Sequence, residues 1–175
     1  MLGAAALGLV AASTSTWVHH RILTDPTYSS FCDVNAAMSC TEAYTSRFGS
    51  VGGVSVALLG VLYFAGVLLV LALGAASTTA QSNVVSYVFG LSILGLSSVF
   101  YLGYASLVVL KTLCLLCVGT YVAVVTLFVS AAQATRTPMR TLPARLGTDL
   151  ATLLRTPSAV VAALAFVAAA AGAIA

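Results

Sequence analysis

The stretch VSVALLGVLYFAGVLLVLAL, residues 54–73, contains no charged side chain. A helix of about 20 residues crosses a hydrocarbon core about 30 Å thick, so this stretch has the length of a transmembrane helix. Four more apolar stretches lie on either side of it. The predicted spans are residues 2–18, 54–73, 84–110, 113–132 and 159–174. The first and the last are short for a span, and the third is long enough to tilt.

The composition excludes the soluble globular class. Of the 175 residues, 61% are hydrophobic and only 6% are charged, whereas a soluble domain carries about 25% charged residues. The charged and polar side chains are too few to cover the surface of a globular protein in water. We therefore predict an all-α integral membrane protein, with residues 1–175 forming a single membrane domain in contact with lipid. The net charge of +3 forms no basic stripe, so we expect no nucleic-acid partner.

The N-terminal segment LGAAALGLVAAS, residues 2–13, has the apolar character of a secretory leader. It lacks the Lys/Arg region that precedes the apolar core of such leaders. We therefore expect a retained first helix rather than a cleaved signal peptide.

The arginines predict how the chain is oriented in the membrane. Residues 133–156 contain Arg136, Arg140, Arg145 and Arg155 against the single acid Asp149. By the positive-inside rule this loop is cytoplasmic. Counting the spans backwards puts the N-terminus inside, and it puts the loop 19–53 and the start of the span 113–132 outside. All four cysteines then lie on the outer, oxidising side of the cell membrane.

The segment KTLCLLCVGTY, residues 111–121, contains Cys114 and Cys117 at the start of a predicted helix. At a spacing of three residues they share one helix face. The positive end of the helix dipole favours a thiolate, which is the form that exchanges with disulfides. Because apolar residues surround the pair, a lipid-soluble oxidant such as a quinone is its natural electron acceptor. The alternative is that both cysteines are small core residues.

The loop 19–53 contains the other two cysteines, Cys32 and Cys40. Ser39 and Glu42 have the spacing of a capping box, which predicts a short helix. Tyr44 and Phe48 then share a face, so this half-helix is suited to cover the outer mouth of the bundle. Two alternatives remain for the cysteines. One is a purely structural disulfide. The other is a four-cysteine zinc site, which the apolar segment CLLC disfavours because the ligands of such sites usually lie in water-exposed turns.

Three motifs together closely resemble the vitamin K epoxide reductase family, including its bacterial members, which do the work of DsbB-type disulfide-forming enzymes. The motifs are CDVNAAMSC at residues 32–40, TSRFG at 45–49 and CLLCVGTY at 114–121. The resemblance covers about residues 7–133. It implies a four-helix transmembrane bundle around a quinone of the menaquinone, ubiquinone or vitamin K type. The stretch 159–174 resembles a fifth transmembrane helix, which often precedes a thioredoxin-like domain in bacterial members.

The resemblance also implies roles for the cysteines. Cys117 resembles the cysteine next to the quinone, which reduces it. Cys114 resembles the shuttle cysteine, which forms a transient bond with Cys40. Cys32 resembles the outermost cysteine, which exchanges with a thioredoxin-like partner, either a separate protein or a fused domain. No metal is implied.

The remaining family positions concern the quinone pocket and its cover. Tyr121 corresponds to a tyrosine that hydrogen-bonds the quinone. Tyr44, Ser46 and Phe48 match the short helix that roofs the pocket, and Asp33 matches an acid that holds this cap. Val56 stands where vertebrate members carry an asparagine that contacts the quinone.

The sequence therefore predicts a quinone-dependent thiol oxidoreductase that supports disulfide-bond formation. Because Val56 removes a polar contact, plain quinone reduction is favoured over vitamin K epoxide reduction, which stays an alternative. A non-enzymatic membrane scaffold with structural disulfides is the alternative from another class.

Overall fold

The structure, a computed structural model, describes residues 1–25, 27–35, 37–75, 81–135, 151 and 157–174. The elements in chain order are α1 (Leu2–Thr24), α2 (Cys40–Thr45), β1 (Ser50–Val51), β2 (Val54–Ser55), α3 (Val56–Ala75), α4 (Gln81–Tyr104), a π-helical segment (Ala105–Leu110), α5 (Leu115–Ala134) and α6 (Pro157–Ile174). The four arginines that predict a cytoplasmic loop lie outside the described residues.

The prediction of an all-α membrane protein is confirmed. Among the described residues, three helical stretches are long and apolar enough to cross a membrane: Val56–Ala75, Val84–Leu110 and Leu115–Ala134. The helix α1 has 23 residues, but its last turns are more polar. The apolar part of α6, Ala159–Ile174, is shorter than a full span.

The helix α1 continues to Thr24, six residues beyond the apolar stretch that ends at Val18. Hydropathy marks where apolar side chains stop, whereas the helical hydrogen bonds of the backbone continue through the polar residues that follow. The segment 19–53 therefore begins with the last turns of a helix. Asp25, in an extended conformation, ends α1, and its carboxylate forms an exposed ion pair with Arg21 at 3.5 Å.

A two-stranded hairpin precedes α3 and moves the start of that helix to Val56, two residues after the predicted one. Val51 pairs with Val54, and Gly52 and Gly53 form the connection with φ angles of 61° and 88°. Two consecutive residues with positive φ are what a tight hairpin turn requires, and glycine adopts them at little cost.

The helices α1, α3, α4 and α5 form a bundle. The helix α1 packs against α3 and α5, and α4 packs against α5 and α3, while α6 contacts α3. The core at one end of the bundle consists of Ala4, Ala5, Val67, Val88, Leu127 and Ala131. The core at the opposite end consists of Val18, Cys32, Cys40, Tyr44 and Cys114, so three of the four cysteines belong to the packed interior.

The connection between α4 and α5 is built around a change of helix type. The last turns before Lys111 are π-helical, and Lys111 itself has a left-handed φ of 56°. Ser106 stabilises the turn, because its carbonyl accepts from the Thr112 amide at 3.2 Å and its hydroxyl donates to the Thr112 carbonyl. The Leu113 amide then donates to the Ala37 carbonyl at 2.9 Å. This bond joins the start of α5 to the loop of Cys32 and Cys40.

Substitution of Gly8 by alanine tests the close packing of α1 on α3. A Cβ atom at Gly8 would lie 2.1 Å from Cε1 of the buried Phe64. Overpacking of a core typically costs about 1–3 kcal/mol. We expect Gly8→Ala to lower Tm in detergent, measured by thermal unfolding. Gly3→Ala in the same helix is the control, because nothing lies within 4 Å of its added Cβ. An equal Tm for the two variants would contradict this packing.

Candidate active site

The four cysteines meet at one end of the bundle. Cys32 and Cys40 form a disulfide, and Cys114 and Cys117 are free thiols. The Sγ atom of Cys114 lies 3.2 Å from the Sγ atom of Cys40. The two pairs, separated by more than seventy residues in the chain, are therefore in direct contact through one sulfur atom of each.

Cys114 immediately precedes the first residue of α5 and serves as its N-cap. Its Sγ atom accepts a hydrogen bond from the Cys117 amide at 3.4 Å. The unpaired amides of a helix N-terminus favour a negatively charged group at this position. The local fold of α5 therefore supports the thiolate form of the cysteine that touches the loop disulfide.

Asp33 holds the two arms of the cysteine loop together. Its carboxylate accepts hydrogen bonds from the Ser39 hydroxyl at 2.9 Å and from the Thr41 amide and hydroxyl at 3.1 and 2.5 Å. Burial raises the pKa of the Asp33 carboxyl, but the hydrogen bonds from Thr41 and Ser39 outweigh burial and hold the pKa below its usual value. The predicted N-cap is confirmed, since the Ser39 hydroxyl accepts from the Glu42 amide at 3.2 Å.

Tyr44 connects α2 to α1 and to the reactive cysteines. Its hydroxyl lies 2.5 Å from the Ser15 hydroxyl and accepts a hydrogen bond from the Cys114 thiol at 3.4 Å. Its ring stacks on His19 with centroids 5.2 Å apart, and the His19 Nδ1 atom lies 2.8 Å from the Ser55 hydroxyl. Burial, followed by the charges of the neighbouring cysteines, raises the pKa of Tyr44 far above its usual value, so the phenol stays protonated.

A cavity of about 550 Å³ lies between the helices beneath α2. It is lined by residues from α1, α2, α3, α4 and α5 and is mostly apolar. The candidate site residues that line it are Tyr44, Phe48, Val56, Cys114, Cys117 and Tyr121. The cysteine pair of α5 and the proposed pocket residues therefore face the same space.

Ser46 was predicted to cover the pocket together with Tyr44 and Phe48, but it lies away from the cavity that these two residues line. It ends α2, where its hydroxyl donates to the Ala43 carbonyl at 2.7 Å and accepts from the Phe48 amide at 3.2 Å. It is not among the residues that line the cavity. Ser46 shapes the turn that brings Phe48 to the cavity, where the Phe48 ring packs edge-on against Tyr101 with centroids 6.2 Å apart.

Sequence reasoning missed Ser15 and His19, two buried polar residues of α1. They are four residues apart and therefore share one face of the helix. The sequence signal that was available is this pair of polar side chains at helical spacing next to an apolar stretch. The serines and tyrosines of α3 and α4 at the cavity were also missed, namely Tyr63, Ser97, Ser98 and Tyr101.

Cys32 and Cys40 are joined to each other, so they do not act as thiolate ligands of a zinc ion in this structure. In the part of the chain that the structure describes, no group of three or more His, Cys, Asp or Glu side chains is suited to hold a metal ion. The chemistry that this cluster presents is that of one disulfide next to two thiols.

The chain matches the sequence model of a known protein family. A sequence model described as the vitamin K epoxide reductase family matches residues 1–132. The matched range includes all four cysteines, the cap and the four helices around the cavity except the last two residues of α5, whereas α6 lies outside it.

Substitution of Asp33 by asparagine tests how the cap is held. Because the carboxyl pKa is lowered on folding from an unfolded value of about 3.9, the carboxylate stabilises the fold above about pH 4. This stabilisation is lost as the pH falls through the folded pKa. We expect Asp33→Asn to have a lower Tm than the wild type at pH 7, and the difference to shrink below about pH 4.

Thermal unfolding over this pH range measures the effect. Glu42→Gln, which changes an exposed carboxylate on the same small helix, is the control and should change Tm far less at pH 7. A difference between the wild type and Asp33→Asn that is independent of pH would show that the charge of Asp33 does not hold the cap.

Proposed function

The chain belongs to the vitamin K epoxide reductase family, and from this premise we propose that it is a quinone-dependent thiol oxidase of the cell membrane. The family is one of membrane oxidoreductases whose thiol chemistry is linked to quinones. The proposal concerns the finer points, which are the electron path, the partner and the residues that carry the reaction. The observation that carries it is the contact of 3.2 Å between the sulfur atoms of Cys40 and Cys114.

The first proposed step is oxidation of a thioredoxin-like partner by the loop disulfide. A partner thiolate attacks Cys32, and Cys40 leaves as a thiolate. The second partner thiolate then attacks the partner sulfur of the mixed disulfide and releases Cys32. The partner leaves with a disulfide, and Cys32 and Cys40 hold its two electrons as thiols.

The second proposed step transfers these electrons to the pair in α5. With Cys114 and Cys117 oxidised, the Cys40 thiolate attacks Cys114, and Cys117 leaves as a thiolate. Cys32 then attacks Cys40, which re-forms the loop disulfide and releases Cys114. The combination in the structure, a loop disulfide with Cys114 and Cys117 reduced, corresponds to the state after this step.

The cavity fits a quinone in size and chemistry. Its volume of about 550 Å³ falls in the range of about 300–1,000 Å³ that is usual for small-molecule sites. Aromatic rings of Tyr63, Phe64 and Tyr121 line it, and the hydroxyls of Ser15 and Tyr44 lie at its cysteine end. These groups suit a flat ring with polar edges. When bound, a quinone supplies the capacity to take up two electrons and two protons.

The side of the membrane follows from the chemistry of this proposal. Thiol oxidation for disulfide-bond formation belongs to the oxidising, extracytoplasmic compartment. We place the cysteine end of the bundle on that side, in agreement with the arginine pattern of residues 133–156. The thioredoxin-like partner is either a separate protein or a domain fused after α6.

Vitamin K epoxide reduction is a less favoured activity for this site. Val56 lines the cavity at the start of α3, and its side chain offers no hydrogen-bond donor to an oxygen of the substrate. A site that binds a polar substrate group usually provides a partner for it. Reduction of a quinone does not depend on this additional hydrogen-bond donor, and it is the activity that we propose.

Quinone absorbance measures the proposed turnover. Purified protein is mixed with a reduced thioredoxin-like dithiol and an oxidised short-chain ubiquinone. We expect the wild type to consume the oxidised quinone and Cys117→Ala to fall to the background rate, because the pair can no longer form its disulfide. Val118→Ala, an exposed neighbour in α5, is the control for folding and should keep wild-type turnover.

Quinone reduction that survives Cys117→Ala would contradict the electron path. If the wild type shows no turnover and its four cysteines do not react with the dithiol, the membrane scaffold with structural disulfides becomes the better account.

A trapped mixed disulfide tests the contact between the two pairs. In Cys117→Ala the Cys114 thiolate can attack Cys40 but has no second cysteine in α5 to resolve the product. We expect peptide mapping after an acid quench to find a bond between Cys40 and Cys114 in a fraction of the molecules. In the matched variant Cys114→Ala, no bond between Cys40 and Cys117 should form. The reverse pattern would show that Cys117 is the shuttle.

A further inference from the structure

A row of three polar groups runs from the reactive cysteine to the first helix. The Cys114 thiol donates to the Tyr44 hydroxyl at 3.4 Å, and the Tyr44 hydroxyl lies 2.5 Å from the Ser15 hydroxyl. The exposed fractions of these residues are 1% for Cys114, 7% for Tyr44 and 4% for Ser15. All three also line the cavity. Because all three residues are shielded from bulk water, the row gives the Cys114 thiol a hydrogen-bonded path along the cavity wall to α1.

Oxidation of the Cys114–Cys117 pair releases protons inside a site that is shielded from water. Forming the S–S bond removes two electrons and two protons from the two thiols. Both cysteines line the cavity, and the Cys114 thiol is directed at the phenol of Tyr44. A proton left on a buried sulfur would keep it from acting as the thiolate that exchange requires.

We propose, on the basis of the function proposed above, that Tyr44 is a catalytic residue that accepts the proton of Cys114, and that Ser15 takes over the phenolic proton of Tyr44 and is catalytic as well. The S–H bond of Cys114 breaks as its proton moves to the Tyr44 oxygen, and the phenolic proton of Tyr44 moves to the Ser15 oxygen and onward into the cavity. Tyr44 is neutral before and after the transfer. The quinone acceptor takes up the two electrons and the two protons, so the oxidation balances.

The surroundings of Tyr44 favour this role over a purely steric one. His19 stacks flat on its ring and is itself fixed by Ser55, so the phenol is held between α1 and the cysteines. The titratable groups that face Cys114 and Tyr44 are His19 from α1 and Cys117 and Tyr121 from α5. Among the described contacts of Cys114, Tyr44 is the one hydroxyl bonded to its sulfur, and Ser15 is the bonded partner of that hydroxyl.

The pKa of Cys114 tests the proposal without quinone or partner. In the background Cys32→Ala/Cys40→Ala, alkylation of Cys114 by iodoacetamide is followed from pH 5 to 11 by site-resolved mass spectrometry. A phenol that donates to the thiolate lowers the thiol pKa. We expect Tyr44→Phe to raise the pKa of Cys114 by about one unit, and Ser15→Ala to raise it by less, because the phenol remains but is less well aligned.

Tyr63→Phe is the matched control. Tyr63 also lines the cavity, but its hydroxyl donates to the Leu91 carbonyl at 3.2 Å. We expect this variant to leave the pKa of Cys114 unchanged. An unchanged Cys114 pKa in Tyr44→Phe, or an equal shift in Tyr63→Phe, would overturn the proposal.

Turnover of the four-cysteine protein gives the second readout. If Tyr44 carries the proton, Tyr44→Phe should lower kcat for quinone reduction by about tenfold or more and alter the solvent isotope effect. A higher KM with an unchanged kcat would make Tyr44 a wall of the pocket only. If the wild type does not reduce quinone, the proposed function fails, whereas the pKa measurement still decides the role of Tyr44.

Discussion

The contact between Cys40 and Cys114 requires that the cysteine loop and the start of α5 place two sulfur atoms 3.2 Å apart. Cys40 opens α2, which Ser39 caps and Asp33 holds from the side. Cys114 caps α5 after a turn that is fixed on both sides. Because each cysteine is the first or preceding residue of its helix, the two N-termini set where the sulfur atoms lie. The hydrogen bonds of Asp33, Ser39 and Ser106 support this placement.

The same end of the bundle contains the buried polar side chains that matter for chemistry. A polar group that leaves water must find a partner, and here the partners are other polar groups of the site. Ser15, His19 and Ser55 are paired with Tyr44 or with one another, by hydrogen bonds or by ring stacking. In an otherwise apolar bundle this network gives Tyr44 one defined position. Under the function proposed above, stability and reactivity depend on the same few contacts.

Much of this arrangement was accessible from the sequence, because its signals are local. Uncharged runs of about twenty residues predict spans, and Ser39 with Glu42 predicts the cap that the structure contains. The motifs around the cysteines predicted the family. The roles of Ser15 and His19 were not accessible, because they depend on which face of α1 turns toward Tyr44. That orientation is decided by packing between distant segments, as is the use of Ser46 in a turn instead of in the pocket wall.

The complete burial of Cys32 has a kinetic consequence. Its side chain is 0% exposed, so an external thiol reaches it only in molecules whose loop has opened locally. The observed reaction rate is then the rate in the open form multiplied by the fraction of open molecules. A small thiol makes no contacts that stabilise the open form, whereas a protein that binds the opened loop stabilises it. If the loop disulfide exchanges with a protein partner as proposed, the stability of the loop protects this disulfide from reduction by small thiols.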